Sequence, residues 1–288
     1  METNALIHLS GIRKTYRPGL LRKKVEALRG LSLRVAQGEV YALIGPNGAG
    51  KTSTFRILLG LIRPDAGDGT ILGLPLGAAE SRRRLGFLPE SPAYYPFLTV
   101  RELLLLAGRL SQIGEPGRAA DRAIERFGLG ALRDRSLRRL SKGQLQRVGI
   151  AQAAVHDPEL LILDEPMSGL DPVGRADVKE WIRELREEGR TVLLASHVLA
   201  DVEALADRVG LLHEGRLEFE GTAEELLSGT EQEIEVEFSF PGSPEILMDG
   251  ITASLEERSG LWAATLASGH EIHLAALLSR ILSRGGSV

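Results

Sequence analysis

The sequence predicts an α/β fold with a parallel sheet core, an N-terminal antiparallel β subdomain, an inserted helical subdomain and a small α+β C-terminal domain. Three observations predict it. Glu39 to Ile44 is a mostly apolar run that stops at Gly45, and helical spacing follows from Lys51 to Leu59, which reads as strand, turn, helix. Leu160 to Leu163 and Thr191 to Ala195 are two further short runs, nearly all apolar. Strands apolar on both faces belong inside a parallel sheet under helices. From Thr99 to His156 the chain is rich in Leu, Ala and Arg and has almost no strand signal, which reads as an insertion of helices.

The chain has 288 residues, which at about 150 residues per domain means one large domain or two smaller ones. With 43% apolar and 26% charged residues the composition is that of an ordinary globular protein with a sizeable core. A net charge of −4 gives no general attraction to nucleic acid or anionic lipid. There is no cysteine, so disulfides and thiolate chemistry are excluded, in keeping with a reducing compartment. Met1 to Ser10 lacks the basic start and apolar run of a signal peptide. No window holds about 18 uninterrupted apolar residues, so any membrane spans must come from another chain.

In chain order, residues 1 to 38 read as short strands with a basic loop at Arg17 to Lys24. Arg175 to Glu188 has helical spacing, with Val178, Ile182 and Leu185 on one side. Val209 to Leu212 and Leu217 to Phe219 read as a hairpin turning through Glu214 and Gly215. These boundaries give a domain over 1–228, with the helical insertion at about 91–158, and a second domain over 229–288. In the latter, Glu231 to Phe240 alternates as a strand, Ala253 to Glu257 and Trp262 to Leu266 are candidate strands, and Ile272 to Leu282 is a helix.

The chemistry concentrates at Gly45-Pro46-Asn47-Gly48-Ala49-Gly50-Lys51-Thr52, a complete phosphate-loop pattern placed after a strand and opening a helix. Glycines let the backbone curl so that successive N–H groups point inward, and the helix N-terminus adds partial positive charge. Lys51 reaches the outer phosphates, and Thr52 offers its hydroxyl to magnesium. A glycine turn beside an exposed lysine is the plainer alternative, but it does not account for the placement between strand and helix. The run Leu160 to Leu163 feeds into Asp164 and Glu165, putting two carboxylates at the carboxyl edge of the sheet, where such sheets bind ligands. Asp164 suits magnesium and Glu165 is placed to act as general base; solvated acids at a strand end are the alternative. Ser141, before a helix over Leu145 to Val155, caps that helix or helps form an anion site.

The phosphate loop, Ser141-Lys142-Gly143-Gln144, Asp164-Glu165, Ser168-Gly169-Leu170-Asp171 and Ala195-Ser196-His197, in that order, resemble an ATP-binding cassette (ABC) ATPase, a P-loop NTPase. The resemblance covers residue 3 to about 225. It implies that Gly45, Pro46, Asn47, Gly48, Ala49, Gly50, Lys51, Thr52 and Ser53 are the Walker A loop. Asp164 is then the Walker B aspartate, Glu165 the catalytic glutamate, Ser168 to Asp171 the D-loop and His197 the switch histidine. Tyr16 falls where the family stacks an aromatic on adenine, with a core or surface tyrosine as its rival reading. The implied ATP-binding set is completed by Ser141, Gly143, Gln144 and Asp171, which close over ATP held by another copy. The implied small molecules are ATP and Mg2+, with Thr52, Glu90 and Asp164 on the metal. The implied partners are a second copy or a closely related cassette and a separate membrane permease, with the chain on the cytoplasmic face of the cell membrane.

Two residues depart from the family pattern. Glu90 stands where glutamine is usual in the magnesium-sensing loop, and Lys142 replaces a signature glycine. Tyr94, Tyr95 and Phe97, in a proline-broken loop, are candidates for receiving a helix of the permease; packing between sheet core and helical insertion is the rival reading. The Leu-Pro-Glu loop and the C-terminal domain resemble the type-2 ABC exporter group. An importer ATPase, or an ABC ATPase acting on nucleic acid or ribosomes, stays open as an alternative. The arginines from Arg118 to Arg139 read as a solvated helix face, so nucleic acid is not expected as a partner.

Overall fold

The computed structural model describes residues 5–17, 24–229, 234–241, 243–248, 253–258, 261–266, 277 and 280–281. The first two strands are longer than the sequence suggests: β1 (Ala5–Tyr16) and β2 (Val25–Ala36) each run for 12 residues. Their antiparallel pairing contains register shifts, such as those between Leu9 and Ile12, and these shifts break the apolar–polar alternation into pieces. Between them and the strands that follow lie β3 (Val40–Ile44) and α1 (Lys51–Leu58). β4 (Ala66–Ile71) and β5 (Leu74–Pro75) extend the antiparallel sheet to the order β2-β1-β4-β5. β4 is Ala-Gly-Asp-Gly-Thr-Ile, poor in strand formers and mostly exposed, so the sequence carries no signal for it.

The central sheet is completed by β6 (Leu85–Leu88), β7 (Leu160–Asp164), β8 (Thr191–Ser196), β9 (Arg208–His213) and β10 (Arg216–Gly221). Its order is β10-β9-β3-β8-β7-β6, parallel except for the antiparallel β9–β10 hairpin. Every residue of β3, β7 and β8 is buried, as expected of strands covered on both faces. The order brings the carboxyl ends of β3, β7 and β8 side by side, since β3 pairs with β8 and β8 with β7. Loops leaving those three ends therefore converge.

The helical insertion contains α2 (Val100–Leu110), α3 (Pro116–Arg126) and α4 (Lys142–Ala154). Thr99 with Glu102 and Ser141 with Gln144 form reciprocal capping boxes that start α2 and α4. α5 (Pro172–Glu187) begins at Asp171, whose side chain accepts from Gly174 N. The insertion rests on α5: Phe127 meets Trp181 edge-on at 5.1 Å, Arg147 lies over the same indole, and Arg147 pairs with Asp177 at 3.1 Å. Arg126 reaches Glu188 at 3.0 Å, and Arg101 and Arg133 share Asp121. Within the arginine-rich stretch, Arg118, Arg126 and Arg133 thus have acidic partners. α6 (Leu199–Glu203) follows β8, and α7 (Ala223–Gly229) follows the hairpin. Among the described residues no helix is long and apolar enough to cross a membrane.

The chain divides into two units, Met1–Ala223 and Glu224–Val288. The second contains β11 (Ile234–Phe238), β12 (Ala253–Arg258) and β13 (Leu261–Leu266) in an antiparallel sheet of order β11-β13-β12. Val236 and Phe238 are buried while Glu237 and Ser239 are exposed, which is the alternation the sequence predicts. They pack with Leu247, Ala264, Leu277 and Ile281. Glu231 to Glu233, and most of the helix expected over Ile272 to Leu282, lie outside the described residues; Leu277, Arg280 and Ile281 are helical.

Candidate active site

The loop from Gly45 to Gly50 joins the end of β3 to the start of α1. Two of its glycines are required by geometry. Gly45 has φ +150°, and a Cβ there would lie 2.1 Å from the carbonyl oxygen of Leu212; at Gly50, φ +116°, it would lie 2.6 Å from that of Ala27. Lys51 is buried, and its Nζ donates to the carbonyls of Gly45 at 2.5 Å and Pro46 at 3.2 Å, so the ammonium lies along the inside of the loop. Gly215 N donates to Ala49 O at 2.9 Å and ties the loop to the β9–β10 turn.

The loop forms one wall of a cleft of about 460 Å³. Lys51, Thr52, Ser53, Glu90, Asp164, Glu165 and His197 all line it. Residues from three loops and helix α1 thus converge, as the strand order dictates. Tyr16, at the end of β1, does not line the cleft; its hydroxyl lies 3.3 Å from Oγ of Ser53 in the first turn of α1. Val25 and Ala27 of β2 also line the cleft. A small apolar residue on an antiparallel strand has no motif to mark it.

Asp164 ends β7 and is buried, with Oδ2 3.5 Å from Thr52 Oγ1. Burial pushes its carboxyl up to about 6, and the carboxylates of Glu90 and Glu165 push the same way against Lys51 and the Thr52 hydrogen bond. A buried carboxylate beside two others favours a cation. Thr52, Asp164 and Glu90 supply hard oxygen donors suited to Mg2+. Among the described residues no three His, Cys, Asp or Glu side chains form a closed metal cluster. Magnesium takes one or two protein ligands and completes its shell with waters and phosphate oxygens.

Glu165 has φ +52°, a left-handed conformation that costs a non-glycine residue about 1–3 kcal/mol. Its N–H donates to Ala195 O at 3.0 Å, which ties the turn after β7 to β8. Its Oε1 lies 2.8 Å from His197 Nδ1. A carboxylate only accepts, so Nδ1 is the donor in this contact. The His197 side chain is 63% exposed at the mouth of the cleft. A further residue touches this turn: Gln146 of α4 is buried, and its Nε2 donates to the carbonyls of Glu165 and Pro166, both at 3.0 Å. Gln146 carries no motif in the sequence, since it lies two residues beyond Gln144 in an ordinary helical segment.

Ser141, Gly143, Gln144 and Asp171 do not line this cleft. Ser141 and Asp171 are exposed at the starts of α4 and α5. The three aromatics of the 91–97 loop separate. Tyr94 is drawn inward, donating to Leu145 O at 3.4 Å and packing on Gly149, and burial pushes its phenol well up. Tyr95 and Phe97 are exposed, at 68% and 77%, with Arg138 over the Phe97 ring. The Lys142 side chain lies over Gly169.

A protein family described as ABC transporter matches residues 28–168. An uncharacterized ABC transporter ATP-binding protein of Synechocystis sp. is 45% identical over 257 residues, covering 87% of this chain and 72% of that protein. Nod factor export ATP-binding protein I of Burkholderia lata is 38% identical over 230 residues, covering 78% of this chain and 75% of that protein. Among solved structures, a dimeric post-hydrolysis ATP-binding cassette bound to ADP and Pi superimposes with a TM-score of 0.70 at 26% identity, covering 75% of this chain and 98% of that one.

Proposed function

Because this chain belongs to the ABC transporter family, as an ATP-hydrolysing, ATP-binding subunit, we propose that it drives a separate membrane permease in the outward direction. The observation that carries the proposal is the convergence of Lys51, Thr52, Asp164, Glu165 and His197 on one cleft. In this reading the N–H groups of Gly45 to Thr52 and the Lys51 ammonium hold the phosphates of ATP, with Tyr16 and Val25 toward the adenine. Thr52 and Asp164, with Glu90 beside them, would hold Mg2+, which would supply positive charge against the outer phosphates. Glu165 takes the proton of the water that attacks the γ-phosphorus as the bond to ADP breaks. His197 donates from Nδ1 to Glu165 and, when Nε2 also carries a proton, donates from Nε2 to an oxygen of the γ-phosphate.

Ser141, Gly143, Gln144 and Asp171 act on the ATP of a second copy, in keeping with their place at two helix starts away from their own cleft, where Ser141 and Asp171 are exposed. Two ATPs then lie between two cassettes, and hydrolysis removes charge that both halves contact, so the halves part. The similarity to a Nod factor export protein supports export. Tyr95 and Phe97 are offered to a permease helix, while Tyr94 supports their loop from within. The chain would work on the cytoplasmic face of the membrane. Residues 229–288 form the second domain of the 1–228 and 229–288 division and stabilise the dimer or regulate turnover. In inside-out vesicles carrying this chain with its permease, cargo should accumulate in the lumen on addition of ATP and Mg2+. Cargo leaving preloaded vesicles instead would reverse the direction, and ATP-independent movement would remove the role as driver.

A further inference from the structure

The first turns of α4 lie along the segment 165–170, which has the proposed base at one end and the D-loop at the other. Lys142 covers Gly169: a Cβ on that glycine would stand 2.9 Å from Lys142 Cδ. A Cβ on Gly143 would stand 3.3 Å from Leu170 Cδ2. One turn further, on the same face, Gln146 is 3% exposed and spends both Nε2 protons on the carbonyls of Glu165 and Pro166. The Glu165 carbonyl also accepts from Ser168 N at 3.0 Å. Gln146 thus holds the two successive peptide units that follow Glu165, the first of which flanks this left-handed residue. An unfavourable backbone state persists only where its surroundings over-determine it.

We propose that Gln146 is a positioning residue for hydrolysis, fixing the backbone of Glu165 and linking its placement to helix α4. The proposal rests on Glu165 being the base. It gives α4 two ends of one task. The start of the helix, with Ser141 and Gly143, meets the ATP of the second copy. A turn later the same rigid helix holds the base of its own site. A shift of the signature against ATP therefore moves Glu165 against the attacking water, and the two sites fire in concert.

The test uses the full chain with Gln146→Met, which keeps length and volume but has no donors. Steady-state ATPase, ATP binding and single-turnover hydrolysis are measured alone and in a Glu165→Gln background. The expected result is a kcat lowered about 10- to 100-fold, the scale of loss on a small misplacement of a reacting group, with KM and ATP affinity within about twofold of wild type. In the Glu165→Gln background the residual rate should not fall further, because the group that Gln146 positions has already lost its function. Gln146→Glu, which presents a carboxylate to the two carbonyls, should lose at least as much. Wild-type kcat in Gln146→Met, an equal further loss in the Glu165→Gln background, or failure of both variants to fold and bind ATP would each overturn the proposal. A Glu165→Gln protein with wild-type turnover would instead overturn the assignment of the base.

Discussion

Replacing Asp164 by asparagine should stabilise the larger unit of this protein when neither nucleotide nor divalent cation is present. Asp164 is 4% exposed, and its carboxyl lies at about 6, against an ordinary value of 3.8. That displacement corresponds to about 3 kcal/mol against the ionised form in the folded chain. The sign follows from where protons bind. Above pH 6 both folded and unfolded chains hold the carboxylate, and the fold carries the whole cost. As pH falls through 6 toward 3.8 the folded chain takes up a proton that the unfolded chain does not, and the cost is relieved. The asparagine carries no charge at any pH, so the stability gap should be largest at pH 7.5, fall to about half near pH 5 and vanish below about pH 4. Urea unfolding in chelator, wild type against Asp164→Asn at these pH values, measures it. With ATP and Mg2+ the order should reverse, because wild type gains ligand-linked stability that the uncharged variant forgoes. A variant less stable than wild type at pH 7.5 in chelator, or a gap independent of pH, would refute the account of this carboxylate.

Lys51→Ala should abolish turnover and weaken ATP binding, since it removes both the charge for the outer phosphates and the anchor to the carbonyls of Gly45 and Pro46; phosphate release and nucleotide titration read the two effects. Glu90→Ala should lower transport more than the ATPase of the isolated subunit if Glu90 couples magnesium to the permease, whereas equal losses would leave it a metal ligand alone. Truncation after Ser228 should leave ATP binding intact while raising the concentration at which dimers form or changing turnover modestly; a truncated chain that folds but does not bind ATP would contradict this.

The parallel core was legible because β3, β7 and β8 are short runs buried on both faces, and little but apolar residues can satisfy that environment. The phosphate loop was legible because its geometry admits few residues: no side chain fits at Gly45 or Gly50. The antiparallel strands were only partly so. Bulges split β1 and β2 into what read as short strands, and β4, exposed and glycine-rich, left no pattern at all. At the site, the residues whose side chains reach the cleft from loops were found by motif. Those that act through backbone contact or bulk were not: Gln146 is an unremarkable helix residue until its two carbonyl partners are seen, and Val25 and Ala27 only line a wall. The 91–97 loop shows the same limit. Composition grouped three aromatics that the fold divides into one inward and two outward.

In the proposed function Glu165 hydrolyses ATP that is clamped between two copies of this chain. Glu165→Gln tests it most directly, because the amide keeps the shape of the carboxylate but cannot take the proton of the attacking water. Gel filtration with light scattering in ATP and Mg2+, together with phosphate release on the same sample, gives both readouts. The expected result is an ATP-dependent dimer holding uncleaved ATP, and a monomer when ATP is withheld. A monomer in ATP that still releases phosphate would contradict it.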